Sequence, residues 1–233
     1  MNFLLFLFFG IAPSIIWLLF YLREDVHPEP KWMIRKVFLW GMLATIPVIF
    51  IEMGLRGAIH SVLPSPYAFY VYMFLGVALI EELAKYAVVR LRVYKTSAID
   101  EPPDVMIYMI VAGLGFAALE NVLMLFGLGP LAALSDILLI TLLRFAGATF
   151  LHALVSGLFG YFIAISWYNK KYKALVSITG LVIAVFLHGL FNFSIMEVQG
   201  LAKVGIPVII LFTLAVSVVL GFWHLRKLKS VQR

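Results

Sequence analysis

The stretch LIEELAKYAVV, residues 79–89, places Glu81, Glu82 and Lys85 in the middle of an apolar run. Each charged side chain near a bilayer centre costs roughly 2.5 to 3.5 kcal/mol, so three of them cancel much of what the flanking Leu, Ile, Val and Phe contribute to insertion. Something must offset that cost or use it.

Around this stretch the chain is overwhelmingly apolar. Of 233 residues 64% are hydrophobic and 13% charged, and the mean hydropathy is +1.05, which excludes an ordinary soluble domain. The apolar runs are mostly about 20 residues long, the length a helix needs to cross a hydrocarbon core roughly 30 Å thick. None shows the alternation of a transmembrane barrel. The expected fold is an all-α, multi-pass transmembrane helical bundle forming a single domain over residues 1–233. Seven spans are placed at about 2–21, 37–54, 67–89, 105–127, 145–167, 174–195 and 206–224. LAALSDILLITLL, residues 131–143, is expected as a separate interfacial helix. The first segment lacks a basic start and a small-residue cleavage site, so it reads as a retained span. The absence of cysteine excludes disulfides, thiol nucleophiles and thiolate metal ligands.

The formal charge of +6 could suggest a nucleic-acid partner, but the basic residues are sorted by loop instead. Arg23, Lys31, Arg35, Lys36, Arg90, Arg92, Lys95, Lys170, Lys171, Lys173, Arg226, Lys227, Lys229 and Arg233 fall on one side of the seven spans. That is fourteen of the eighteen. The positive-inside rule makes that side cytoplasmic, with the N-terminus outside and the C-terminus inside. The expected partner is the lipid bilayer of a cell membrane, with no nucleic acid. Arg144 is expected to snorkel to the outer interface.

Polar groups cluster in four consecutive spans. The third holds Glu81, Glu82 and Lys85, the fourth Glu120 and Asn121, the fifth His152, the sixth His188 and Asn192. Counted from the basic ends at ~1.5 Å per residue, Glu120, His152 and His188 share one depth, roughly 21 to 22 Å. Glu81 and Glu82 count out shallower unless their helix continues past Arg90 and Arg92 with both arginines snorkelling, which is expected. Such groups facing a bundle interior mark a functional site more often than scattered glue between helices. His188 and Asn192, one turn apart, face the same way. Glu81 and Glu82 point about 100° apart, so Lys85 is expected to neutralise Glu81 while Glu82 faces the cavity. Asn121 and the glycines at 113, 115, 157 and 160 read as structural, the glycines allowing helices to approach closely.

A carboxylate and an imidazole at one depth can activate water, while a second imidazole and an amide donate to a developing oxyanion. Alternatively Glu82, His152 and His188 are three ligands of a zinc ion with an open fourth position. HExxH and GxSxG are absent, which excludes the corresponding zinc and serine proteases. A proton-linked transporter, or a non-catalytic membrane chaperone retaining the polar cavity, is the alternative class.

EELAK at 81–85, DVMIYMIVAGLGFAALEN at 104–121, FLHALVSGLFG at 150–160 and HGLFN at 188–192 occur in this order on successive spans. With HPEPK at 27–31 as the polar joint after the first span, the chain resembles the PrsW-type intramembrane proteases. These sit in the wider group that includes the CAAX prenyl proteases and the bacterial Abi proteins. The resemblance implies hydrolysis of a peptide bond in a membrane-anchored protein such as an anti-sigma factor, in an envelope-stress response. It implies Glu81, Glu82, Glu120, His152, His188 and Asn192 as catalytic residues, with Lys85 supporting. Glu82 is then the general base, and His188 and Asn192 hold the oxyanion. Glu120 stands where the CAAX group has histidine, so roles in that motif do not carry over from it. The wider group is described both as metalloproteases and as glutamate proteases, which leaves zinc open.

Overall fold

The computed structural model describes residues 3–23, 27–65 and 67–228. Lys229 and Arg233, counted above among the basic residues, lie outside them. Seven helices long and apolar enough to cross a membrane follow one another: α1 Phe3–Leu22, α2 Lys31–Val62, α3 Tyr67–Arg92, α4 Pro102–Phe126, α5 Leu134–Tyr168, α6 Lys170–Met196 and α7 Ala202–Leu225. No strand occurs among the described residues. The outward faces are rich in exposed Leu, Phe and Ile, as lipid-facing helices require.

Three elements depart from the placed span bounds, α3 in the direction expected. α2 begins right after Pro30 and runs to Val62, beyond both expected ends, because nothing from Lys31 to Val37 breaks a helix. At about 1.5 Å per residue it outruns the hydrocarbon core, and Lys31, Arg35 and Lys36 extend from its first turns. α3 continues through Arg90 and Arg92. That extension sets Glu81 and Glu82 deeper than a helix ending at Val89 would. The expected interfacial helix is not separate: Leu134–Arg144 runs into the fifth span through a π turn, Phe145–Thr149. A second π turn, Tyr72–Ala78, lies in α3 just before the glutamates.

α4 is the central helix, buried over most of its length and packed by α1, α2 and α5. Small residues make this packing close. A Cβ at Gly115 would sit 2.1 Å from Phe38 O, and one at Gly41 would sit 2.4 Å from Ala112 O, so α2 and α4 touch backbone to backbone. Thr45 adds a donor to Phe116 O at 3.3 Å. At the basic end, Asp104 Oδ2 accepts from the amides of Asp100 and Glu101 at 2.9 and 2.6 Å and starts α4. The HPEPK joint is tied to this cap. His27 pairs with Glu101 at 2.8 Å, and Tyr108 donates to Glu29 Oε2 at 2.5 Å.

Candidate active site

The four polar spans bring their side chains into one buried cluster. Glu81, Glu82, Lys85, His152 and His188 are all buried. Lys85 Nζ donates to Glu82 Oε1 at 2.7 Å and to Glu81 Oε2 at 3.3 Å, and it stands over the Phe116 ring at 4.9 Å. The lysine therefore compensates both glutamates, more closely Glu82. The expectation that it pairs with Glu81 alone gives way to this shared arrangement, which the (i, i+3) and (i, i+4) spacings both permit.

Each histidine is held by a carboxylate on one ring nitrogen. His188 Nδ1 lies 2.8 Å from Glu82 Oε1, and its Nε2 faces Glu81 Oε2 at 3.9 Å. His152 Nε2 lies 2.9 Å from Glu120 Oε2, and its Nδ1 faces Glu81 Oε2 at 3.8 Å and Lys85 Nζ at 2.7 Å. The ammonium can only donate, so His152 Nδ1 accepts and the proton of the neutral ring sits on Nε2, toward Glu120. By the same logic Nδ1 of His188 donates to Glu82 and leaves Nε2 with its lone pair toward Glu81. The two imidazole rings are 5.2 Å apart and nearly perpendicular.

Two imidazoles and a carboxylate with lone pairs aimed at one region form a donor set suited to zinc. The group Glu81, His152 and His188 presents ligand atoms within 4.8 Å of one another. The carboxylate in that set is Glu81 rather than the Glu82 of the zinc alternative above, because Lys85 and His188 engage Glu82 Oε1. Carboxylate-held histidines are the usual surroundings of such a site. The remaining oxygen of Glu82, Oε2, is buried with no partner among the described residues.

Arg144 does not snorkel away. Its Nη2 pairs with Glu120 Oε2 at 2.9 Å, and its Nε donates to Asn121 Oδ1. Asn121 Nδ2 in turn donates to Thr149 Oγ1 at 2.9 Å and Gly10 O at 3.2 Å, so this residue is structural as expected. The π turn explains why the sequence misplaces Arg144. Eight residues along a regular helix put it about 80° off the face of His152, and one inserted residue turns it back by about 100°, to within about 20° of that face. Trp17 holds the turn in place, its indole donating to Phe145 O at 2.9 Å while it stacks between Phe145 and Phe150.

Asn192 lies one turn beyond His188, half-buried, with no side-chain hydrogen bond among the described residues. Glu52 stands near the outer end of the expected second span, 37–54, and is not among the candidate site residues. The structure sets it half-buried within electrostatic reach of Glu81, Glu120 and Lys85, with Oε1 buried and unpartnered among the described residues. A lone Glu at the end of an otherwise apolar span was the only signal for it.

A buried glutamate and histidine cluster in a bundle of membrane-crossing helices is the makeup of an intramembrane hydrolase. Residues 29–221 match the family model described as PrsW family intramembrane metalloprotease. The chain belongs to that family and is a membrane-embedded protease, multi-pass in a bacterial membrane. It is similar to Protease PrsW of Geobacillus kaustophilus, at 32% identity over 188 residues, covering 80% of this chain and 78% of that protein. It is also similar to Protease PrsW of Bacillus subtilis, at 29% identity over 225 residues, covering 96% and 94%. No solved structure matches. Membership in a protease family sets aside the transporter and chaperone readings.

Proposed function

We propose that the protein cleaves a peptide bond of a membrane-anchored protein with water activated by Glu82. The observation that carries this reading is the buried set in which each histidine has one nitrogen on a carboxylate and the other turned to Glu81. Glu82 Oε2, buried and unpartnered among the described residues, takes the proton of the attacking water. Glu82 Oε1 keeps His188 in the tautomer that turns Nε2 to Glu81, and Glu120 does the same for His152. Lys85 compensates the charge of both glutamates in an apolar setting. Asn192 supplies an amide donor to the oxyanion beside His188. The surrounding Leu, Val and Phe keep bulk water from the reacting bond.

The metal in the family description fits the donor set of Glu81, His152 and His188 in type and spacing. Zinc held there supplies a Lewis acid and a more acidic water. Lys85 shares the lone pair of His152 Nδ1, so metal and ammonium compete for that nitrogen. A membrane-anchored anti-sigma factor is the substrate proposed, on the family resemblance.

Terminal-peptide proteomics tests the reading on membranes of cells carrying equal amounts of the wild-type chain, Glu82→Gln or His188→Ala. New termini seen only with wild type support it and name the substrate. If the three samples share their termini under several envelope stresses, with folded protein in each, the proposed chemistry at this site is wrong.

A further inference from the structure

A second concave site lies at the opposite level of the same helices. A pocket of about 530 Å³ opens at the basic end, between the last turns of α3, the segment that follows it, the end of α5 and the start of α6. Arg90, Lys95 and Lys173 reach it from these separate elements. No acidic side chain lines it, and none of the three cations has an ion pair among the described residues. Arg90 is aimed by its contact with Tyr86, Nη1 to the hydroxyl at 3.4 Å. Three like charges gathered in one pocket repel one another, so the arrangement is most stable with an anion between them.

The walls indicate which anion. Ser177 lines the pocket with a hydroxyl, whereas that of Ser166 is turned onto Ile163 O at 2.7 Å, and α6 begins there, so its first turn adds the positive end of a long helix. The other wall is apolar. Ile163 and Leu91 belong to it, and Leu91 is 70% exposed on the outer surface of the bundle. Tyr86, Tyr94 and Trp167 stand at the junction, the amphipathic residues that favour head-group depth. A compact anion such as chloride would use the cations and leave the apolar wall without a partner. A molecule with a phosphate at one end and hydrocarbon at the other uses both.

We propose that this pocket binds the phosphate of an anionic phospholipid, with the acyl chains leaving past Leu91 along α3. Basic pockets between membrane helices are a known mode of lipid head-group capture. The site is separate from the hydrolytic cluster, and its test does not depend on peptide cleavage.

The full chain, purified in detergent, is titrated with phosphatidylglycerol or phosphatidylcholine and read by native mass spectrometry. The variants are Arg90→Gln, Lys95→Gln, Lys173→Gln and the three combined. A control triple, Lys31→Gln, Arg35→Gln and Lys36→Gln, removes the same charge from another basic joint. Wild type is expected to hold phosphatidylglycerol in preference to phosphatidylcholine. Each single substitution should weaken it about five-fold and the triple about a hundred-fold, with the control triple unchanged. Ser177→Glu, which adds a carboxylate to the wall without removing a cation, should reproduce the loss if the triple does not fold. A parallel arm adds inorganic phosphate. If that ion displaces the lipid and alone raises the unfolding temperature of wild type but not of the triple, the ligand is a free phosphate and the lipid assignment falls. Equal retention of the two lipids, or a pocket triple that holds phosphatidylglycerol as wild type does, overturns the site altogether.

Discussion

At the scale of single residues, the cost of burying charge in a membrane is offset by pairing. Lys85 touches both glutamates, so each of the three charges has a partner of opposite sign. Removing one member of a buried pair costs about 3 to 5 kcal/mol, because a charge is left without compensation. Lys85→Met should therefore lower the unfolding temperature sharply and abolish cleavage. Adding Glu82→Gln to it should return much of the lost stability and none of the activity, which thermal unfolding and a cleavage assay on the same samples would separate. A double variant as unstable as the single would show that Lys85 matters through its packing on Phe116 instead. Metal content makes a second residue-level prediction. Glu81→Gln and His152→Ala should remove metal from the purified protein, whereas Glu82→Gln, at a residue that touches the donor set through His188, should weaken affinity about 10- to 100-fold. Elemental analysis after dialysis against graded chelator reads this directly, and an active wild type without metal would refute it. These groups were legible in the sequence because ionisable residues stand out in apolar spans. Which glutamate joins the histidines was not, since two adjacent residues differ only by a rotation that the packing of α3 decides.

At the scale of the helices, what the sequence hid is a change of helical register. Both π turns stand just before residues of the candidate site: Tyr72–Ala78 before Glu81, and Phe145–Thr149 before His152. Each adds a residue to a turn, and no residue type announces it. The consequence at Arg144 is that it meets Glu120 and Asn121 instead of snorkelling to the outer interface. Deleting Ala146 should convert the second turn to regular helix and rotate Arg144 by about 100° relative to His152, separating it from Glu120. Cleavage should fall while the helical content holds, and retained activity would make the turn incidental. The glycines, by contrast, were read correctly as contact points. A Cβ at Gly113 would lie 2.4 Å from Ser156 Oγ and 2.8 Å from His152 O, so Gly113→Ala drives α4 and α5 apart at the level of the site. Overpacking of this kind costs about 1 to 3 kcal/mol. Gly57→Ala, with nothing within 4 Å, is the matched control and should leave unfolding temperature and cleavage in place.

At the scale of the whole molecule, the bundle combines a charged end with a buried site open on one flank. Glu120 keeps 34% of its side chain exposed, beside Arg144, while the rest of the cluster is enclosed. The number of spans and the sorting of charge both follow from hydropathy and loop composition, because lipid imposes one length and one rule on every crossing. Orientation rests on the charge sorting alone, and the chain allows a direct test because it contains no cysteine. Leu131, 94% exposed before α5, and Leu201, 95% exposed before α7, belong to the end poor in basic residues. Ser97 and Lys170, both exposed, belong to the basic end. Single cysteines at 131 and 201 should react with a membrane-impermeant maleimide in intact cells, and those at 97 and 170 only after the membrane is opened. The reverse pattern would place the C-terminus outside. It would also turn the basic pocket toward the outer leaflet and the exposed edge of Glu120 toward the cytoplasmic half of the bilayer.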